Sequence, residues 1–314
     1  MNSRDAVLSL LDAGAPPPWV PAAFFLHFDP SRHFGQEAEE EHLRYFRATG
    51  MDLVKVQYER RFPPLPEIRR PADWALVPLY DERFFAPQLE AIAGIVAGAK
   101  REAVVVVTLY SPFMCAGHSV GEDLLLRHLR EDPVPVLAGM ATITESLLVF
   151  VGACIRLGVD GFYHSTQGGE RDRFADRADF DRFVRPYDLA VMQEAERSCA
   201  FNILHICDYL GEYDDLTRFA DYPGHVVSCP LTVAGSPLSL RGAARVFGRP
   251  VMGGLDRLGV LATGAEAEIR AAAEAVLRGA PERFILGADC TVPTDTPWSN
   301  LRVAVETAHA WRRT

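Results

Sequence analysis

Short, continuously apolar runs alternate along the chain with longer stretches in which apolar residues recur at helical spacing. The short runs predict strands at Val20–Phe28, Leu53–Gln57, Ala103–Leu109, Gly161–Ser165, Asn202–Cys207, Val226–Cys229, Val251–Gly254 and Phe284–Gly287. Runs such as Val104-Val105-Val106-Val107 are apolar throughout, the pattern of parallel strands covered by helices. The longer stretches predict helices at Glu37–Thr49, Phe85–Lys100, Val134–Leu157, Phe180–Ser198, Ser239–Phe247, Glu266–Arg278 and Ser299–Arg312. Asp132-Pro133 and Asp295-Thr296-Pro297 read as helix starts, and Gly50, Gly158 and Gly279 fall where helices would end. No break in composition interrupts the alternation. It predicts one α/β domain over residues 1–314, a (β/α)8 TIM barrel with an N-terminal extension and enlarged βα loops. The alternative is a two-domain doubly wound fold. No G-x-G-x-x-G follows a predicted strand, so a dinucleotide cofactor is not expected.

Composition narrows the function classes. A chain of 314 residues with 48% hydrophobic and 24% charged residues can bury a core, which excludes a disordered or fibrous protein. Its net charge of −10 argues against nucleic acid or an anionic membrane as the main partner. Met1–Leu11 carries both charges and no apolar run of signal length. The longest apolar run, Leu147–Ile155, is broken by Gly152 and falls short of the roughly 20 residues that span a bilayer. A cytoplasmic protein with free thiols is therefore the expectation for its six Cys. The Pro- and Arg-rich segment Tyr58–Phe84 reads either as a lid or as a surface excursion.

Barrel enzymes carry their chemistry at the C-terminal ends of the strands. At the fifth predicted strand, His205 and Cys207 are two apart and so point to one side. The eighth ends at Cys290, within plausible reach of that pair. One imidazole and two thiolates form a three-ligand zinc set with an open fourth position. The spacing equally allows a packed core histidine and two ordinary buried thiols. Other strand exits add candidates. Glu59 and His27 read as a fourth ligand or as catalytic and substrate contacts; Tyr110 and Tyr209 read as substrate contacts. His164 reads as an acid, a substrate contact or a packed core residue. Asp208 could orient His205 or a substrate amine, or cap its loop, and Asp256 could bind substrate or cap the next helix. Cys115, Cys154, Cys199 and Cys229 read as packing residues.

The run Ile203-Leu204-His205-Ile206-Cys207 followed by Cys290 resembles the H-x-C…C zinc motif of the methylcobamide:coenzyme M methyltransferases, a branch of the uroporphyrinogen decarboxylase superfamily. The segments Phe284–Pro293, Val251–Asp256, Gly158–Gly161, Pro186-Tyr187 and Thr49–Asp52 also resemble that superfamily, so the likeness runs from about residue 18 onward. It implies Zn2+ on His205, Cys207 and Cys290, a small-molecule thiol as methyl acceptor, and a methylated corrinoid (methylcobalamin), carried by a corrinoid protein or replaced by another donor. One departure stands out. Where the decarboxylases carry an R-Q-A-G-R segment whose arginines hold substrate carboxylates, this chain reads Phe24-Phe25-Leu26-His27-Phe28-Asp29-Pro30. That loss favours the methyltransferase branch over a decarboxylase or other lyase. A non-catalytic corrinoid- or tetrapyrrole-binding protein is the third expectation.

Overall fold

A computed structural model describes residues 1–14, 17–174 and 176–312. Strands β1 (Leu53–Val56), β2 (Val104–Tyr110), β3 (Gly161–Thr166), β4 (Ile203–Ile206) and β5 (Val226–Ser228) lie side by side in chain order. A short antiparallel hairpin, β6 (Thr232–Val233) with β7 (Ser236–Pro237), stands outside the sheet. Strands β8 (Val251–Leu255) and β9 (Phe284–Ala288) then complete a parallel sheet of seven. Every residue of β1, β3, β4, β5 and β9 is buried, as the continuous apolar runs require.

The first predicted strand is the correction. Val20–Phe28 does not form a ladder strand; it makes an isolated bridge, Ala22 to Leu286. On one side Leu286 N–H donates to Pro21 O (2.8 Å) and Ala23 N–H to Leu286 O (2.9 Å); on the other, Asp52 N–H donates to Ala22 O (2.9 Å). The segment thus closes the barrel between β9 and β1. Pro21 has no N–H to give, and beyond Ala23 other groups take the carbonyls. Tyr45 Oη–H donates to Phe24 O, Val292 N–H to Phe25 O and Gln57 Nε2–H to Leu26 O.

The helical layer is α1 (Ser3–Ser9), α2 (Gly35–Thr49), α3 (Glu82–Ala99), α4 (Pro112–Val120), α5 (Glu122–Glu131) and α6 (Pro133–Leu157). It continues with α7 (Arg177–Phe183), α8 (Arg185–Ser198), α9 (Leu240–Phe247), α10 (Val260–Thr263), α11 (Glu266–Gly279) and α12 (Trp298–Ala310). Asp132 caps α6, Pro133 opens it, and Gly158 ends it at φ 88, so the punctuation works as read. The stretch Phe180–Ser198 is two helices, because Pro186 cannot continue the hydrogen-bond ladder begun in α7. By length and composition α6 could cross a membrane, but half of its apolar window is buried and it packs against α3, α8 and residues 71–76. The 58–84 segment is anchored there. Trp74 is buried, donates its Nε1–H to His128 Nδ1 at 3.0 Å, and lies where a side chain at Gly139 would collide with it.

At the N-terminal end of the barrel two buried carboxylates tie the termini to the sheet. Asp160, at the start of β3, takes both guanidinium branches of Arg4 and the Val105 N–H. Asp52, before β1, takes Ala22 N–H, Trp19 Nε1–H and His309 Nε2. The Asp-containing segments at 49–52 and 158–161 therefore do structural work.

Candidate active site

Strand parity assembles the site at the opposite end. In β4, His205 and, just beyond it, Cys207 share one face. Register places Ser165 of β3 beside His205 and Ser228 of β5 on its other flank. Cys290, two residues past β9, completes the cluster. One ligand atom from each of His205, Cys207 and Cys290 lies within 4.8 Å of the others.

Neighbours hold each member. His205 Nδ1 is 3.1 Å from Ser228 Oγ, and Nε2 is 3.4 Å from Cys290 Sγ. The Tyr163 ring lies against the imidazole at 4.9 Å between centroids. Gln167 Nε2–H points at Cys207 Sγ at 3.5 Å, and Tyr213 Oη–H donates to Cys207 O at 2.9 Å. A hydrogen bond from Cys207 to Cys290 pulls the Cys290 thiol well below its usual range, helped by His205; the same bond and burial push Cys207 up. One sulfur of the pair is thus already a good donor. Two soft sulfurs and an imidazole fixed through Nδ1 suit zinc better than a hard cation.

The trio lies in the wall of a cavity of 690 Å³. Five other predicted site residues fall into three kinds of place. His27, Tyr110 and Tyr209 line the cavity. Glu59 stands behind His27, with Oε1 2.7 Å from His27 Nδ1. Burial works against the Glu59 charge, but the His27 hydrogen bond and nearby His33 hold its carboxyl below the usual range. Asp208 joins Asp289 on the Arg257 guanidinium at the rim, 3.1 Å from Nη1.

Two candidates fall elsewhere. His164 is on the other face of β3, enclosed by Leu109, Phe162, Met192 and Ile203, and neither ring nitrogen has a partner among the described residues. Burial drives its pKa down to about 3. Asp256 is exposed and accepts the Leu258 N–H at 2.8 Å, so it shapes a turn. The two-residue period that paired His205 with Cys207 also puts Tyr163, Ser165 and Gln167 inside and His164 outside. Residue type had outweighed that geometry. Lys55, Gln57, Arg61 and Arg257 also line the cavity and were not singled out. A lysine interrupting the apolar run Leu53–Val56 is the signal that could have found the first.

A parallel (β/α)8 barrel with a thiol–imidazole cluster at the C-terminal ends of its strands defines the class of this protein. A sequence model of the family described as uroporphyrinogen decarboxylase (URO-D) matches residues 43–311. The chain belongs to the uroporphyrinogen decarboxylase family. No protein of curated function matches it in sequence. Among solved structures it resembles a methyltransferase from Methanosarcina mazei, with 16% identity, 98% of each chain covered and a TM-score of 0.77. It also resembles a B12-independent methionine synthase from Shewanella sp. W3-18-1, solved with selenomethionine, at 10% identity over 93% of this chain and 97% of that one, TM-score 0.59. A putative vitamin-B12 independent methionine synthase from Listeria monocytogenes matches at 13% identity over the same shares, TM-score 0.56. At these identities the likenesses carry the fold.

Proposed function

We propose that the protein is a zinc-dependent methyltransferase that alkylates a small thiol, with His205, Cys207 and Cys290 as the metal ligands. The convergence of three soft donor atoms within 4.8 Å in a cavity wall carries this reading. Structural neighbours named as a methyltransferase and as methionine synthases support it. Zinc bound there would supply a Lewis acid that favours ionisation of an incoming thiol at neutral pH.

The chain's own groups would do the rest. Ser228 holds His205 through Nδ1, keeping Nε2 turned to the cluster. Glu59 holds His27 Nδ1, leaving Nε2 as the ring's free acceptor for the proton that the thiol gives up. The thiolate sulfur attacks the methyl carbon, and the methyl–donor bond breaks with its electron pair leaving to the donor. A methylated corrinoid, delivered by a corrinoid protein, fits that donor role, and Tyr110, Tyr209 and the Asp208–Arg257 pair border the space it would enter.

Metal analysis tests the proposal. Protein purified without chelator is expected to hold about one zinc per chain, lost in Cys207→Ser and in Cys290→Ser. Metal-free protein, or zinc retained in both variants, overturns it. Metal-free protein that releases carbon dioxide from a carboxylate substrate moves the assignment to a decarboxylase.

A further inference from the structure

Of the six cysteines, Cys207 and Cys290 are the two that line the cavity. Cys115, Cys154 and Cys229 are buried elsewhere, and Cys199 sits partly exposed at the end of α8. The cavity pair differs in its company. The two sulfurs lie within 4.8 Å of each other, and a hydrogen bond joins them. Thiols this close, at the wall of a space that a small oxidant can enter, are placed to be oxidised together.

The backbone holds one member more firmly than the other. Cys207 N–H donates to Thr166 O at 3.0 Å, and its carbonyl takes Tyr213 Oη–H at 2.9 Å. Cys290 lies past the ladder, which ends at Ala288. It sits in the turn between Asp289, whose N–H donates to Leu255 O, and Val292, whose N–H donates to Phe25 O. A disulfide requires the sulfurs at about 2 Å. The approach therefore falls to the partly exposed Cys290 side chain, which gives up its 3.4 Å contact with His205 Nε2.

We infer that Cys207 and Cys290 are a redox modification site, closing to a reversible disulfide when a hydroperoxide enters the cavity. The Cys290 sulfur attacks one peroxide oxygen and the O–O bond breaks. The departing oxygen leaves as water with the thiol proton, and Cys290 is then a sulfenic acid. The Cys207 sulfur attacks the Cys290 sulfur, the S–O bond breaks, and the hydroxyl leaves as a second water with the Cys207 proton. Two thiols lose two electrons and one peroxide gains them. The oxidation rests on the sulfur geometry alone. Its consequence rests on the zinc reading, because the metal needs thiolates and the disulfide would switch the site off until it is reduced.

Protein stripped of metal with EDTA and exposed to a small molar excess of hydrogen peroxide tests it. Thiol titration in denaturant is expected to fall by two from six per chain, and dithiothreitol to restore them. With free thiols blocked by N-ethylmaleimide, a proteolytic digest is expected to hold one linked pair, the Cys207 peptide with the Cys290 peptide. That pair should be missing from Cys207→Ser, and the wild-type map decides alone if the variant does not fold. If the linked pair forms but the reduced protein takes up no zinc, the zinc proposal falls and this inference stands. Retention of all six thiols, or their loss without a Cys207–Cys290 link, overturns it.

Discussion

At the N-terminal end of the barrel, Asp160 is buried but receives two bonds from Arg4 and one from the Val105 N–H. At the C-terminal end, Lys55 is about as buried and has a single neutral partner. The first charge is compensated within the chain and fastens an N-terminal helix to the sheet. The second is held by the Gln57 amide oxygen and by the faces of Phe25 and Tyr163 in the cavity wall. A complete set of partners marks an architectural charge, and an incomplete set beside a cavity marks one that belongs to the site. The same contrast separates Asp52, with three partners, from the thiol cluster, whose sulfurs share their proton and leave donor capacity open.

If that division holds, substitutions at the two ends should fail in different ways. The largest effect is expected at the cluster. Cys290→Ser should reduce methyl transfer by about 10³-fold or more through loss of metal, while its unfolding free energy in urea changes by about 1 kcal/mol or less. Steady-state rates with a methyl donor and thiol, read beside a denaturation curve, check both halves. Asp160→Ala should do the reverse. Leaving Arg4 and the Val105 amide without their acceptor should cost about 3 kcal/mol, with zinc content and turnover per folded molecule unchanged. A large activity loss in folded Asp160→Ala would erase the distinction between the ends. Ser228→Ala should be milder than either, weakening zinc by about 10- to 100-fold in chelator competition because Nδ1 of His205 loses its anchor.

Much of this division was legible in the sequence. Continuous apolar runs specify buried parallel strands, and the two-residue period puts His205 and Cys207 together. The closing segment was harder to read, because Val20–Phe28 is apolar enough for a strand while its carbonyls are taken by Tyr45, Gln57 and Val292, far along the chain. Helices α4 and α5 sit in the loop after β2, where short segments owe their helicity to packing that no local pattern displays. Lys55 was visible as a charge inside an apolar run. What surrounds its ammonium was not, since that depends on everything folded around it.

His164 offers the finest test, because it is a buried titratable group at the cavity end of the barrel that belongs to neither class. It has no partner, and it faces only a small internal void of about 10 Å³ behind the strand, away from the cavity that holds the cluster. Its pKa is depressed from 6.5 to about 3 by burial, so between those values the unfolded chain binds a proton that the folded chain refuses. Stability from this residue is therefore intact above about pH 6.5 and falls as the solution is acidified, by about 1.4 kcal/mol per pH unit at most. His164→Leu replaces it with a residue suited to Leu109, Phe162 and Ile203. At pH 7.5 the variant should match the wild type or exceed it by about 1 kcal/mol, since two unsatisfied ring nitrogens are removed. As the pH is lowered to 5 its advantage should widen. Methyl transfer should stay within about twofold of wild type throughout, because the side chain lies behind the strand. Urea denaturation at both pH values, with rates measured alongside, checks this. An activity loss beyond tenfold in a folded His164→Leu would mean that the outer face of β3 contributes to the site.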